Sequence, residues 1–169
     1  MRDRPEYTAY VTDRSPRLLR TAYLLCRDWA LAEDLLQTAL VKAWRVWRRI
    51  EGDPDPYVYR ILVNTHASWR RRRWGGEITT EIPDQAASDD AMSTSDDRGM
   101  LWTALGRLPP GQRAVIVLRF FEDLTEPQVA KILGCSVGTV KSQASKALDK
   151  LRINPDIVSV TTITTEERN

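Results

Sequence analysis

The sequence predicts an all-α protein made of two small helical domains joined by an acidic, flexible linker. Apolar side chains recur at three- and four-residue spacing on both sides of residues 75–97, and neither side has the pattern of a strand hairpin. The segment between them has Gly-Gly, proline, serines and little periodicity. We therefore divide the 169 residues into domains 1–74 and 98–152, a linker 75–97 and a tail 153–169 of open role.

The charged residues are distributed according to the same domains and linker. Residues 1–74 carry 15 basic and 9 acidic side chains, and residues 98–152 carry 9 basic and 4 acidic ones, although the net charge is only +2. Residues 75–97 carry 7 acidic and no basic side chains. Each helical domain therefore offers a basic surface to a polyanion, whereas the linker would be repelled by one.

Several function classes lack their sequence signals. No apolar stretch is long enough to span a bilayer, and the N-terminus has no apolar signal-peptide core. Cys26 and Cys135 form no CxxC pair, and His66 is the single histidine. These features predict a cytoplasmic protein with reduced thiols, no membrane insertion, and no metal or other cofactor.

The first clear helical pattern is "ALAEDLLQTALVKAWRVW" at residues 30–47. It predicts a broad buried stripe of Leu31, Leu35, Leu36, Ala39, Leu40, Ala43, Trp44 and Trp47. The opposite face is polar. That face fits the solvated side of a core helix and the docking surface for a protein partner equally well.

The next segment, residues 57–74, interleaves basic and aromatic side chains after Pro54 and Pro56. Its basic residues are Arg60 and Arg70 to Arg73, and its aromatic residues are Tyr57, Tyr59, Trp69 and Trp74. Basic groups hold phosphates and aromatic faces stack on unpaired bases, so this mixture favours DNA whose strands have separated. The alternative for the arginine run is a merely solvated face, and Trp69 also lies on the apolar stripe.

The C-terminal domain has the signals of a helix-turn-helix. A helix follows Pro109 and Pro110, and the next one begins with a capping box formed by Thr125 and Gln128. Gly134 supplies the residue that a helix end needs at positive φ, and Ser136 can cap the following helix. The turn is therefore only three residues long.

The helix after that turn is amphipathic. Its predicted apolar stripe consists of Val137, Val140, Ala144, Ala147, Leu148 and Leu151. Polar and basic residues occupy the other side, which a helix-turn-helix would present to the major groove. The alternative is an ordinary helical hairpin with a solvated lysine face.

These segments, in this order, resemble the sigma-70 family of RNA polymerase sigma factors, in its extracytoplasmic-function subfamily. "LAEDLLQTALVKAWRVW" is similar to the family's core-polymerase-binding helix, and "DPYVYRILVNTHASWRRRRW" to its minus-ten-reading and melting segment. "LPPGQRAVIVLRFFEDLTEPQVAKILGCSVGTVKSQASKALDKLR" is similar to its minus-thirty-five-reading domain. The resemblance covers about residues 5–152, and "SVGTVKSQ" is most like the actinobacterial SigE group.

The resemblance implies roles for particular residues. The residues facing the polymerase clamp would be Asp34, Gln37 and Thr38, although many relatives carry Glu at the last position. Asn64 and Thr65 would belong to a short loop that captures a flipped minus-ten base, followed by backbone contacts from Arg70, Arg71, Arg72 and Arg73. The minus-thirty-five-reading residues would be Lys141, Ser142, Gln143 and Lys146. Many relatives use Arg at 141, 143 and 146, and Gln favours adenine where Arg favours guanine.

The resulting prediction is a sigma factor that starts transcription by two-element promoter recognition and minus-ten strand opening, and that is not an enzyme. Its expected partners are the clamp region of RNA polymerase core, promoter DNA and, since the family is usually controlled in that way, a candidate anti-sigma factor. The alternatives are a free-standing helix-turn-helix regulator and a DNA-cutting or recombining enzyme that uses the motif for targeting. Residues 57–74 argue against the first, and the acidic cluster's place in the linker argues against the second.

Overall fold

The computed structural model describes residues 3–75 and 96–152 and, except at 73–75, 96–98 and 100, their side chains. Within these ranges the chain forms helices and no strand, which confirms the all-α prediction. The helices are α1 (Arg4–Cys26), α2 (Trp29–Val46), α3 (Asp55–Gly75), α4 (Asp96–Arg107), α5 (Pro110–Ile116), α6 (Glu126–Leu133) and α7 (Val137–Arg152). Most of the predicted acidic linker and the whole tail 153–169 lie outside the described residues.

Helix α1 starts and stops on local signals. Asp3 and Glu6 form a capping box at its N-terminus, where Pro5 occupies the first turn. Arg27 ends the helix with φ 60°, and its backbone N–H donates to the Tyr23 carbonyl. Asp28 then caps α2 by accepting a hydrogen bond from the Leu31 N–H at 3.0 Å. This two-residue connection makes α1 and α2 packing neighbours.

Helix α3 is placed by long-range contacts. A 3₁₀ turn (Trp47–Arg49) ends α2, and Gly52 turns the following loop with φ 72°. The Asp55 side chain at the start of α3 accepts a hydrogen bond from the Tyr10 hydroxyl at 2.8 Å and lies 3.5 Å from the Arg14 guanidinium. Helix α3 therefore packs on α2 with its N-terminus tied to α1.

The second half of the chain builds the helix-turn-helix. Helix α5 begins at Pro110, one residue earlier than predicted, and continues into a π-helical turn (Val117–Phe121). Helices α5 and α6 both pack on α7, and Val115 and Leu118 are buried. We refer to α1–α3 as the N-terminal unit and to α4–α7 as the C-terminal unit.

The two units pack against each other. Helix α3 contacts α6, and α1 contacts α5 and the π-helical turn. Between them the Tyr23 ring is stacked on Trp29 with centroids 3.8 Å apart and on Trp102 with centroids 4.2 Å apart. The charge and periodicity patterns predicted two units and gave no indication of this contact. Across the described ranges, no helix combines the length and apolar character needed to cross a membrane.

Candidate nucleic-acid interface

The helix-turn-helix has the caps that the sequence predicted. Thr125 accepts a hydrogen bond from the Gln128 backbone N–H at 3.3 Å, and its own N–H donates to Gln128 Oε1 at 2.8 Å. Gly134 has φ 68°, in the left-handed region that glycine adopts at little cost. Ser136 Oγ accepts from the Thr139 N–H at 3.0 Å and so caps α7. The capping box at Thr125 fixes the start of α6, and Gly134 and Ser136 fix the short turn between α6 and α7.

Helix α7 buries one side and exposes the other. Val140, Ala147 and Leu151 are buried, as predicted. Val137 is 37% exposed, so its assignment to the apolar stripe was wrong, because the first residue of α7 projects beyond the packed turn. The exposed first turn is the part of a recognition helix that commonly reaches base edges.

The predicted minus-thirty-five residues lie on or beside the exposed face of α7. Lys141, Ser142 and Lys146 are exposed, and Gln143 is half-buried at the edge of that face. Lys141 Nζ is 3.9 Å from Glu126 Oε2 on α6, a distance that leaves the ammonium able to turn toward a phosphate or a base. The structure thus places the four side chains together on α7.

Helix α3 carries a second exposed face. Tyr57, Arg60, Asn64 and Arg71 are exposed and follow one another at spacings of three, four and seven residues, which places them on one side of the helix. Tyr57 is 46% exposed. This stripe combines an aromatic ring, two guanidiniums and an amide, the groups that stack on bases, hold phosphates and pair with base edges.

The prediction that Asn64 and Thr65 lie in a short loop was wrong, since both lie inside the continuous helix α3. The two neighbours also face different ways. Asn64 is exposed, whereas Thr65 is 1% exposed and its hydroxyl accepts a hydrogen bond from Lys42 Nζ at 3.0 Å. Thr65 therefore joins α3 to α2 in this arrangement.

The run of arginines from Arg70 to Arg73 also combines exposed and half-buried side chains. Arg71 and Arg72 are exposed, and Arg70 is half-buried. Burial, followed by the neighbouring charge of Arg71, lowers the pKa of Arg70 from its ordinary value. The side chains of Arg73 and Trp74 lie outside the described residues.

Two other aromatic residues of α3 face inward. Tyr59 is 2% exposed and donates its hydroxyl to Glu122 Oε2 at 2.6 Å, so its expected stacking on bases is contradicted for this arrangement. Trp69 is partly buried against the core. Of the described aromatic residues in the segment, Tyr57 has the exposure that base stacking requires.

The outer face of α2 carries the predicted polymerase-binding residues. Asp34 and Gln37 are exposed, and Thr38 is half-buried. Val41 and Trp44 extend this face, with 52% and 42% exposure. The prediction that Trp44 is a core residue was therefore wrong. Its position seven residues after the exposed Gln37 was the available signal, because seven residues bring a helix back to nearly the same face.

Trp47 behaves as the sequence predicted. It is fully buried, and its ring lies 5.1 Å from the ring centroids of both Tyr7 and Tyr10. In the described ranges, no group of three or more His, Cys, Asp or Glu side chains could hold a metal ion. Cys26 and Cys135 are free thiols, and burial raises the pKa of Cys26 to about 11.

Comparison with known families matches both units. The description "Sigma-70 region 2" matches residues 10–75, and "Sigma-70, region 4" matches residues 98–151. The RNA polymerase sigma-E factor of Streptomyces coelicolor is 41% identical over 149 residues, which cover 87% of this chain and 84% of that protein. The sigma-E factor of Streptomyces antibioticus is 39% identical over 149 residues, covering 87% of this chain and 83% of the relative.

Solved structures have the same fold. The sigma factor RpoE of Bartonella quintana, in complex with the anti-sigma factor NepR, aligns with a TM-score of 0.67 and 27% identity over 86% of this chain and 93% of that chain. CnrH, in complex with the cytosolic domain of CnrY, aligns with a TM-score of 0.66 and 21% identity, covering 91% and 90% of the two chains, and so supports the fold alone. The chain belongs to the sigma-70 family, as an extracytoplasmic-function sigma factor related to the sigma-E factors of Streptomyces.

Proposed function

We propose that this sigma factor binds RNA polymerase core through α2 and reads promoter DNA with α7 and α3. The observation that carries the proposal is that each of these helices has an exposed side with polar or basic residues opposite a buried apolar side. Because three such faces occur in one short chain of this family, each is assigned one partner: the polymerase, duplex DNA or opened DNA. The proposal gives the chain no catalytic residue and places its work in the cytoplasm with the polymerase.

The docking face on α2 combines polar and apolar groups. Asp34 and Gln37 offer hydrogen-bonding groups, and the exposed rings and methyl groups of Trp44 and Val41 offer area that loses water on binding. Interfaces draw most of their binding energy from a few such apolar anchors inside a polar rim. We assign this face to the clamp region of the polymerase core.

The minus-thirty-five element is assigned to α7. Lys141 and Gln143 are proposed to reach base edges in the major groove, with Ser142 beside them and Lys146 on a phosphate. Gln143 pairs best with adenine through its amide, so an adenine is expected opposite it. Phosphate contacts add affinity for any sequence and sensitivity to salt.

The minus-ten element is assigned to the exposed stripe of α3. Tyr57 is proposed to stack on an unpaired base, Asn64 to pair with a base edge, and Arg60 and Arg71 to hold the backbone. Arg72 is a further backbone contact on the exposed side. Thr65 and Arg70 contribute through the position of the helix, since their side chains are buried or half-buried.

An anti-sigma factor is a candidate further partner, because the related sigma factor of Bartonella quintana was solved in complex with one. Such a protein would compete with the polymerase core for the chain. Competition between a purified candidate and core, with the chain immobilised, would identify it.

The test of the proposal begins with core binding. Immobilised full chain is incubated with purified core polymerase, and we expect retention that Gln37→Ala with Trp44→Ala weakens at least about tenfold, the loss expected for one or two central interface side chains. Thr12→Ala, an exposed residue on α1, is the matched control and should bind as wild type. Chain that binds promoter DNA alone and never retains core would instead be a free-standing regulator.

A further inference from the structure

A buried carboxylate joins the two units. Glu122 follows the π-helical turn of the C-terminal unit and is 3% exposed. Its Oε2 accepts hydrogen bonds from Arg17 Nε at 2.7 Å and from the Tyr59 hydroxyl at 2.6 Å, and its Oε1 accepts from the Thr21 hydroxyl. Its backbone carbonyl also accepts from Arg17 Nη2 at 3.4 Å. Arg17, Thr21 and Tyr59 all lie in the N-terminal unit.

This geometry makes the carboxylate depend on the other unit. A carboxylate is costly to bury unless it is paired and hydrogen-bonded, and Glu122 meets both conditions through groups of α1 and α3. The hydrogen bond to Glu122 raises the pKa of Arg17 from its ordinary value. Since the acceptor lies on one unit and its donors lie on the other, the cluster specifies one relative placement of the two units.

A second contact holds the units together near the end of α1. Arg113 Nη1 donates to the Leu25 carbonyl at 2.8 Å, while its other nitrogens donate to carbonyls of the C-terminal unit. Beside it, Tyr23 of α1 is stacked on Trp102 of α4. The polar cluster at Glu122 is therefore reinforced by a guanidinium and an aromatic pair.

The closed arrangement is incompatible with reading both promoter elements. A compact body of the described size has a radius of gyration of about 14 Å, so that it is about 35–40 Å across. The proposed minus-thirty-five and minus-ten elements are, by their names, about 25 base pairs apart, which is roughly 85 Å at 3.4 Å per base pair. Moreover, α3 and the helix-turn-helix contact each other directly through α6. The units must therefore separate before α7 and α3 occupy both elements.

We propose that the Glu122 cluster is the latch that fixes the closed placement of the two units, so that it must break when the chain binds RNA polymerase core. This inference rests on the proposed two-element function. Part of the binding energy from core is then consumed in separating the units. The apparent affinity for core is therefore the affinity of the open form multiplied by the fraction of chains that is already open. Weakening the latch raises that fraction and tightens core binding.

The experiment uses the full chain in three forms besides wild type. Glu122→Ala removes the acceptor from the C-terminal unit. Arg17→Met combined with Tyr59→Phe removes donors from the N-terminal unit while keeping most of their shape. Asp149→Asn, an exposed carboxylate of the C-terminal unit, is the matched control. Circular dichroism establishes that helix content is retained, and the shape-conserving pair answers the question if Glu122→Ala does not fold.

Small-angle scattering and core titration give the readouts. For wild type and Asp149→Asn we expect a radius of gyration of at least about 15 Å, the value for a compact chain of this length. For both latch variants we expect a radius of gyration at least a fifth larger than that of wild type. Core binding should tighten at least about fivefold in the same two variants. Equal scattering in all four proteins would overturn the latch, as would open variants with unchanged core affinity. Wild-type chain that fails to bind core would overturn the proposed function, while scattering still decides whether Glu122 holds the units together.

Discussion

Hydrogen bonds between residues three apart bound the helix-turn-helix of the C-terminal unit. The helices of the N-terminal unit also have local caps, but hydrogen bonds between distant residues place them against one another. Around the helix-turn-helix, Thr125 bonds Gln128 and Ser136 bonds Thr139, each three residues away. In the N-terminal unit, Tyr7 donates its hydroxyl to the Leu40 carbonyl at 2.7 Å and Lys42 bonds Thr65. The difference teaches which parts of the protein can be deduced from local sequence and which depend on packing.

The largest expected effect is on stability, and it should differ between two tryptophans of the N-terminal unit, Trp44 and Trp47. Trp47→Ala removes a fully buried ring packed on Tyr7 and Tyr10 and should lower the free energy of unfolding by about 3–5 kcal/mol. Trp44→Ala removes a ring that is 42% exposed and should cost less than about 1.5 kcal/mol. Urea unfolding followed by circular dichroism measures both. Equal losses would mean that the unit does not depend on its buried aromatic contacts as described.

The next effect concerns the C-terminal unit and its DNA. Lys141→Ala and Gln143→Ala should each weaken minus-thirty-five binding by about 1–3 kcal/mol if they contact base edges. Lys146→Ala should weaken binding to all sequences alike and lower the salt slope by about one, as loss of a phosphate contact does. Fluorescence anisotropy across salt and across base-substituted sites distinguishes these outcomes. Unchanged affinity in all three variants would mean that α7 presents another face to DNA.

A third comparison uses the adjacent residues Asn64 and Thr65. Asn64→Ala should leave stability within about 0.5 kcal/mol of wild type and impair strand opening at the minus-ten element. Thr65→Val removes the acceptor for Lys42 and should cost about 1 kcal/mol of stability while strand opening continues in the folded protein. Permanganate footprinting of promoter complexes reports opening. A normal bubble with Asn64→Ala would remove that residue from the proposed site.

The smallest effect tests the local signals of the helix-turn-helix. Gly134→Ala places a side chain at φ 68° and should destabilise the protein by about 1 kcal/mol. Gly111→Ala, in α5 with open space around the added carbon, is the matched control and should be neutral or stabilise by about 0.4–1 kcal/mol. Thermal unfolding measures the pair, and a loss of the same size in both would contradict the positive-φ explanation.

The same contrast explains which sequence predictions succeeded. The capping box at Thr125, the positive φ of Gly134 and the Ser136 cap were predictable because each depends on residues nearby in the chain. The burial of Tyr59 was not, because it depends on Glu122, 63 residues away in sequence. Trp44 and Val137 were wrongly predicted to be buried, because a broad apolar pattern does not show how far the neighbouring helices cover that face.

The central claim is that this chain directs polymerase core to promoters with two elements. The direct measurement is transcription of fragmented genomic DNA by purified core with and without the chain, followed by sequencing of the RNA 5′ ends. The account predicts a set of start sites that depends on the chain and shares two sequence elements at a fixed spacing. The Gln143→Arg variant should prefer a different sequence at the upstream element. Core that initiates at the same sites without the chain, or start sites that share a single element, would contradict it.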